Sequence, residues 1–184
     1  MRNSIIYFDE PGKGNTEETL KFAHERAKEL NIKQIVVASK HGYTADMASR
    51  FFSTDEYNLI AVTICASYDD MGWTMTTKER SALEGKGIKV LTCLHSLGDD
   101  VSEAFKGDSP NKIVRETLYT FCQGMKVAVE IVLMASDAGL LDMSHEVISI
   151  AGTSEGADTA IILKPAYARC FNEIQIKEIL TKPR

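Results

Sequence analysis

Apolar residues along this chain fall into two alternating rhythms. Short β-branched runs at Ile5–Phe8, Ile35–Ala38, Leu59–Thr63, Ile88–Leu91, Val147–Ala151 and Ala160–Leu163 predict strands. Between the first two, Leu20, Ala23, Ala27 and Leu30 recur at helical spacing, predicting a helix over Glu17–Leu30. Asn15 or Thr16 offers its N-cap, and Glu17 and Glu18 suit its positive end. Further helices are predicted from about Thr44 to Phe52, over Lys78–Glu84, and over Lys112–Cys122, the last capped by Ser109 or Asn111. Met125–Ala138 is apolar nearly all round, and its length favours a buried helix over a strand. Cys65–Thr77 reads as irregular, Asp99–Lys112 as a loop or weak helix, and Phe171–Leu180 as a last strand. Repeated strand-then-helix order predicts an α/β fold of three α/β/α layers around a mainly parallel sheet.

Length and charge narrow the class. At roughly 150 residues per domain, 184 residues predict one domain over residues 1–184. The 44% hydrophobic content excludes disorder, and 12 Gly and 4 Pro exclude collagen-like or linker character. The net charge of −5 argues against nucleic acid and anionic membranes as partners. No window approaches the roughly 18 apolar residues of a membrane span. Ile5–Phe8 runs straight into Asp9 and Glu10, too short for a signal peptide. Cys65, Cys93, Cys122 and Cys170 show neither a C-x-x-C pair nor metal-ligand spacing, which predicts four reduced thiols, no metal and a cytoplasmic setting.

Two loops carry candidate chemistry. In the first, the strand Ile35–Ala38 empties into Ser39-Lys-His-Gly-Tyr-Thr-Ala45 and a helix follows. Gly42 permits a tight turn, Ser39 and Thr44 supply hydroxyls, and Lys40 supplies a mobile positive charge. A phosphate site and a plain turn capped by Thr44 are both open readings. The second loop, Gly152-Thr-Ser-Glu-Gly-Ala-Asp-Thr159, adds Gly152, Thr153, Ser154, Gly156 and Thr159, with Asp158 as an acceptor for ribose or ribityl hydroxyls. Its alternative is a wide turn between paired strands. Neither loop is a G-x-G-x-x-G fingerprint or a phosphate-binding P-loop. If both loops lie at strand carboxyl ends, they share a crevice.

Single residues also carry paired readings. Lys126 and Glu130 form either an i,i+4 ion pair on a solvated stripe or a buried carboxylate near the ligand. Tyr43, Tyr68 and Trp73 either stack on a ring ligand or cover the core. His41 is either exposed or a ligand contact, His24 reads as surface, and His95 and His145 have no identifiable partner. Asp137 is a helix-end polar group or a site carboxylate.

Ser39–Ala45 resembles the phosphate loop of the pyruvate kinase C-terminal domain, with His41 in place of a serine and Tyr43 in place of an often basic residue. Gly152–Thr159 similarly resembles that domain's late glycine-rich effector loop. Across nearly the whole chain, the sequence resembles a family of stand-alone proteins with this fold. The resemblance rests on Tyr7–Leu20, Gly124–Ile131, Ala135–Gly139 and Gly152–Ala160. It implies an antiparallel member among the late strands, bound flavin mononucleotide (FMN), and no pyruvate kinase activity. It also implies a phosphate on Ser39, Lys40, Gly42 and Thr44. Asn15, Thr16 and Thr63 would lie near the rest of the ligand, with the Gly152–Thr159 loop closing over it. The expected partner is thus a small phosphorylated ligand, with homo-oligomerisation left open. Function divides between a flavin-dependent oxidoreductase and a non-catalytic phosphorylated-ligand sensor.

Overall fold

The computed structural model describes residues 4–98, 100–107 and 109–184, with the backbone alone at 100 and 103. Seven strands form one sheet: β1 (Ile6–Phe8), β2 (Gln34–Ala38), β3 (Asn58–Thr63), β4 (Lys89–Thr92), β5 (Val147–Ala151), β6 (Thr159–Lys164) and β7 (Gln175–Pro183). Among the described residues, six helices accompany them: α1 (Thr16–Leu30), α2 (Tyr43–Ser49), α3 (Thr77–Glu84), α4 (Asp100–Ala104), α5 (Pro110–Tyr119) and α6 (Gln123–Asp137). The strand order is β1-β7-β6-β5-β2-β3-β4. Only β6 runs against its neighbours, pairing antiparallel with both β5 and β7, so the sheet is mainly parallel as expected.

Period-2 alternation divides the central strands between two cores. Ile35, Val37, Leu59, Ala61, Ile148 and Ile150 face Leu20, Ala23 and Ala27 of α1, Ala45 and Ala48 of α2, and Leu83 of α3. Val36, Ile60, Val62, Val147 and Ile161 face the opposite way, onto Met125, Ala128, Val129 and Val132 of α6. Burial on both faces explains why the inner strands read as unbroken apolar runs. Ser149 ties the second layer to the sheet, its hydroxyl donating to the Ala128 carbonyl at 2.7 Å. Among the described residues, no helix is long and apolar enough to cross a membrane.

Several local expectations change. The last strand begins at Gln175 rather than Phe171, because Ala168–Glu173 forms a 3-10 turn. Within the expected irregular stretch Cys65–Thr77, Ala66–Met71 is also a 3-10 segment. The expected weak segment Asp99–Lys112 contains α4, while its residues 99 and 108 lie outside the described residues. Ser109, not Asn111, caps α5, accepting from the Lys112 N–H, and Pro110 takes the first helical position. His24 is not a free surface residue. It packs edge-on against Phe52 at 5.3 Å and Tyr57 at 6.0 Å, and burial lowers its pKa. His145 has partners too, with Nδ1 at 2.9 Å from an Asp142 carboxylate oxygen.

Candidate functional site

A cleft of about 880 Å³ opens at the carboxyl ends of β2, β3 and β5. Its volume lies in the range typical of small-molecule sites, and strand carboxyl ends are where open α/β sheets place them. The loop after β2 forms one side. Ser39 donates its N–H to the Val62 carbonyl at 2.9 Å, and its hydroxyl oxygen accepts from the Ala45 N–H at 3.2 Å. Ser39, not Thr44, is therefore the side chain that satisfies an early N–H of α2. Gly42 sits at φ +94°, a left-handed turn that a residue with a Cβ adopts only under strain. It shapes the loop without lining the cleft.

That arrangement leaves polar atoms unspent. Thr44 is 3% exposed, lines the cleft, and has no side-chain hydrogen bond among the described residues. Lys40 has no carboxylate partner among the described residues; its ammonium lies 4.6 Å from the centre of the Trp73 ring. The Ser39 hydroxyl keeps its own proton to donate. Thr63 lines the cleft, but its hydroxyl already donates to the Lys40 carbonyl at 3.2 Å.

The loop after β5 is built differently. Asp158 is fully buried, and its carboxylate accepts from the Gly12 N–H at 2.8 Å, the Thr153 N–H at 3.0 Å and the Thr159 hydroxyl at 2.7 Å. This corrects its expected role, since none of it is available to ribose or ribityl hydroxyls. Thr159 is likewise buried and committed to Asp158. Thr16 bridges the Lys13 carbonyl and the Ala157 N–H, at 2.7 and 3.0 Å, so it fastens the loop to α1 instead of reaching a ligand. Asn15 donates to the Glu10 carbonyl at 2.7 Å, and neither Asn15 nor Thr153 lines the cleft. Gly152, Ser154 and Gly156 do line it.

The remaining walls are less visible from sequence. Tyr68 stacks on Trp73 with ring centres 5.8 Å apart and planes at 11°, and His95 stacks near Tyr68 at 5.8 Å and 24°. All three rings line the cleft. Tyr43 lines it also, beneath the Lys13 ammonium at 4.0 Å. His41 sits at the margin, with Nε2 3.1 Å from the Gly72 carbonyl and Nδ1 3.5 Å from Glu79. Glu79 closes a capping box with Thr76 at the start of α3, and the Thr76 N–H holds its carboxyl below the usual range. Asp137 lies outside the cleft and accepts from the Ala168 N–H.

Helices α5 and α6 supply the far side, including Tyr119, Lys126, Glu130 and Met134. The Lys126–Glu130 pair exists, at 2.5 Å, but on no solvated stripe: both side chains are at least nine-tenths buried. The other Glu130 oxygen accepts from the Leu97 N–H at 2.9 Å. Burial, with Glu130 nearby, raises the pKa of the Tyr119 hydroxyl. Among the described residues, no group of three His, Cys, Asp or Glu side chains is placed to hold a metal ion.

Residues 17–163 match the model of the pyruvate kinase alpha/beta domain. The chain belongs to that family. Every residue lining the cleft falls within the matched segment of this pyruvate kinase alpha/beta domain, whereas β1 and β7 lie outside it. Among solved structures, the chain is similar to Cryptosporidium parvum pyruvate kinase in complex with ADP, at 17% identity and a TM-score of 0.39. That likeness covers 91% of this chain and 24% of the other. The chain therefore spans about a quarter of that kinase's length.

Proposed function

We propose that the cleft binds a phosphorylated ligand bearing a planar ring, with FMN as the leading candidate. The observation that carries this reading is one cavity combining unspent donors (Lys40, Thr44 and the Ser39 hydroxyl) with stacked rings at Trp73, Tyr68 and His95. Ser39, Lys40 and Thr44 would hold the phosphate, and the ring row would pack along the ligand's flat body. Gly42 would act only by shaping the loop. A bound flavin would supply the electron and hydride transfer that no side chain provides. The chain's own part is to orient the ligand and to exclude water from one of its faces.

A second reading, a non-catalytic sensor of the same ligand, is favoured by the state of Glu130. This buried carboxylate of the cleft accepts from both the Lys126 ammonium and the Leu97 N–H, so its oxygens are engaged inside the protein. Four cysteines without paired spacing support a cytoplasmic setting for either reading.

Titrating the purified protein with FMN tests the proposal. Saturable binding should quench flavin fluorescence, and flavin absorption should persist through desalting. Protein that leaves FMN fluorescence unchanged overturns the flavin reading. Repeated turnover with NADH or NADPH and an electron acceptor would select the oxidoreductase; binding without turnover would select the sensor.

A further inference from the structure

Lys126 is a buried cation of the cleft. An ammonium has three N–H donors, and burial leaves each of them in need of an acceptor. Among the described residues, Lys126 has a single hydrogen-bond acceptor, Glu130, although its side chain is only 9% exposed. Its other neighbour of note is the Tyr119 ring, whose centre lies 5.9 Å away. Glu130 is itself pinned by the Leu97 N–H, so the ammonium is held in place rather than swinging with solvent. Lys126, Tyr119 and Glu130 all line the cleft that also contains Lys40 and Thr44.

We infer that Lys126 is a second ligand-binding point, donating its spare N–H groups to acceptor oxygens on the part of the ligand remote from the phosphate. Glu130 is the positioning residue that fixes it. This deepens the proposed function and rests on it. The ligand class is a molecule with a phosphate for the Ser39–Thr44 loop and a ring bearing carbonyl oxygens for Lys126. A purely aliphatic phosphate would leave those donors unmet.

The test compares three probes by titration: FMN, riboflavin (the same ring without phosphate) and inorganic phosphate. Because Lys126→Met alone leaves Glu130 buried without its partner, the decisive variant is Lys126→Met with Glu130→Gln, whose amide oxygen still accepts from the Leu97 N–H. Removing both charges of a buried ion pair together is tolerated by folding far better than leaving one of them alone. Circular dichroism and thermal melting check that fold. Lys126→Arg retains the donors and serves as a rescue. The double variant should bind both flavins about ten- to a hundredfold more weakly than wild type, with phosphate affinity unchanged and partial recovery in Lys126→Arg. If the folded double variant binds FMN and riboflavin as wild type does, the inference falls and the flavin site stands. If wild type binds phosphate but neither flavin, the flavin reading falls and takes this inference with it.

Discussion

The loops after β2 and after β5 have nearly the same chemistry on paper and opposite roles in the molecule. Each offers hydroxyls at a strand's carboxyl end, with one glycine in the first and two in the second. After β2, Ser39 spends one acceptor on Ala45, while Lys40 and Thr44 keep their donors. After β5, Asp158 takes up Gly12, Thr153 and Thr159, and Thr16 takes up Ala157. The first loop keeps its donors open to the cleft, and the second is a clasp joining the β5–β6 turn to the segment before α1. A hydroxyl or carboxylate counts toward ligand binding only after its internal partners have been subtracted.

That contrast can be broken at the clasp most easily. Asp158→Ala strands two backbone N–H groups and a buried hydroxyl, and should destabilise the protein by about 3–5 kcal/mol. For a chain of this size the melting temperature should fall by roughly 10 °C. A melt within about 2 °C of wild type would return Asp158 to the ligand. Gly156→Ala comes next. Its Cβ would fall 2.4 Å from the Thr16 hydroxyl and 2.7 Å from the Lys13 Cα, at φ +77°, for an expected loss of about 2–4 kcal/mol in denaturant unfolding. Gly42→Ala should cost only about 1 kcal/mol, since its Cβ would meet the Leu83 side chain at an ordinary 3.6 Å. Equal losses at the two glycines would erase the distinction.

Changes to the first loop should act on affinity instead of stability. Lys40→Ala with Thr44→Ala should weaken FMN and phosphate binding about ten- to a hundredfold while changing unfolding free energy by less than about 1 kcal/mol. Isothermal titration and melting of the same sample check both halves. The smallest effect belongs to Glu79, which supports the first loop through His41 and caps α3. Because its folded pKa lies below the unfolded one, its stabilisation is fully present above about pH 5 and is lost as pH falls through the lowered value. Glu79 is partly exposed, so the change should be only a few tenths of a kcal/mol. Glu79→Gln should flatten that part of the pH–stability curve; an unaltered slope would leave His41 and its loop without this support.

Strand and helix order was legible because each inner strand is buried on both faces and each helix carries its own period. The capping box at Thr76 and Glu79 is a Thr-x-x-Glu pattern, yet it escapes a reading that begins this helix at Lys78. Lys126 and Glu130 show the limit of local spacing. An i,i+4 interval states that two side chains meet, not which surroundings they meet in. The cue lay in their neighbours, since a helix apolar all round has no solvated stripe to offer. The aromatic row of Trp73, Tyr68 and His95 draws on two loops after different strands, and only the tertiary fold brings them together. Asp158 was misjudged for the same reason, as its partner Gly12 lies 146 residues away.

One consequence of the sheet order concerns time rather than space. β1 has a single partner strand, β7, with Ile6 beside Thr181 and the Phe8 carbonyl accepting from the Arg184 N–H. The β2–β3–β4 units and the β5–β6 hairpin each close over short stretches, but this edge closes the longest loop in the sheet, and closure entropy grows with that length. During synthesis, residues 6–8 leave the ribosome long before the strand that receives them exists. The clasp at Gly12, Thr16, Ala157 and Asp158 lies on the same route, so the β5–β6 turn has to arrive before the start of α1 is fastened. The edge is therefore a late seal on a sheet whose cleft-lining strands β2, β3 and β5 pair over shorter separations.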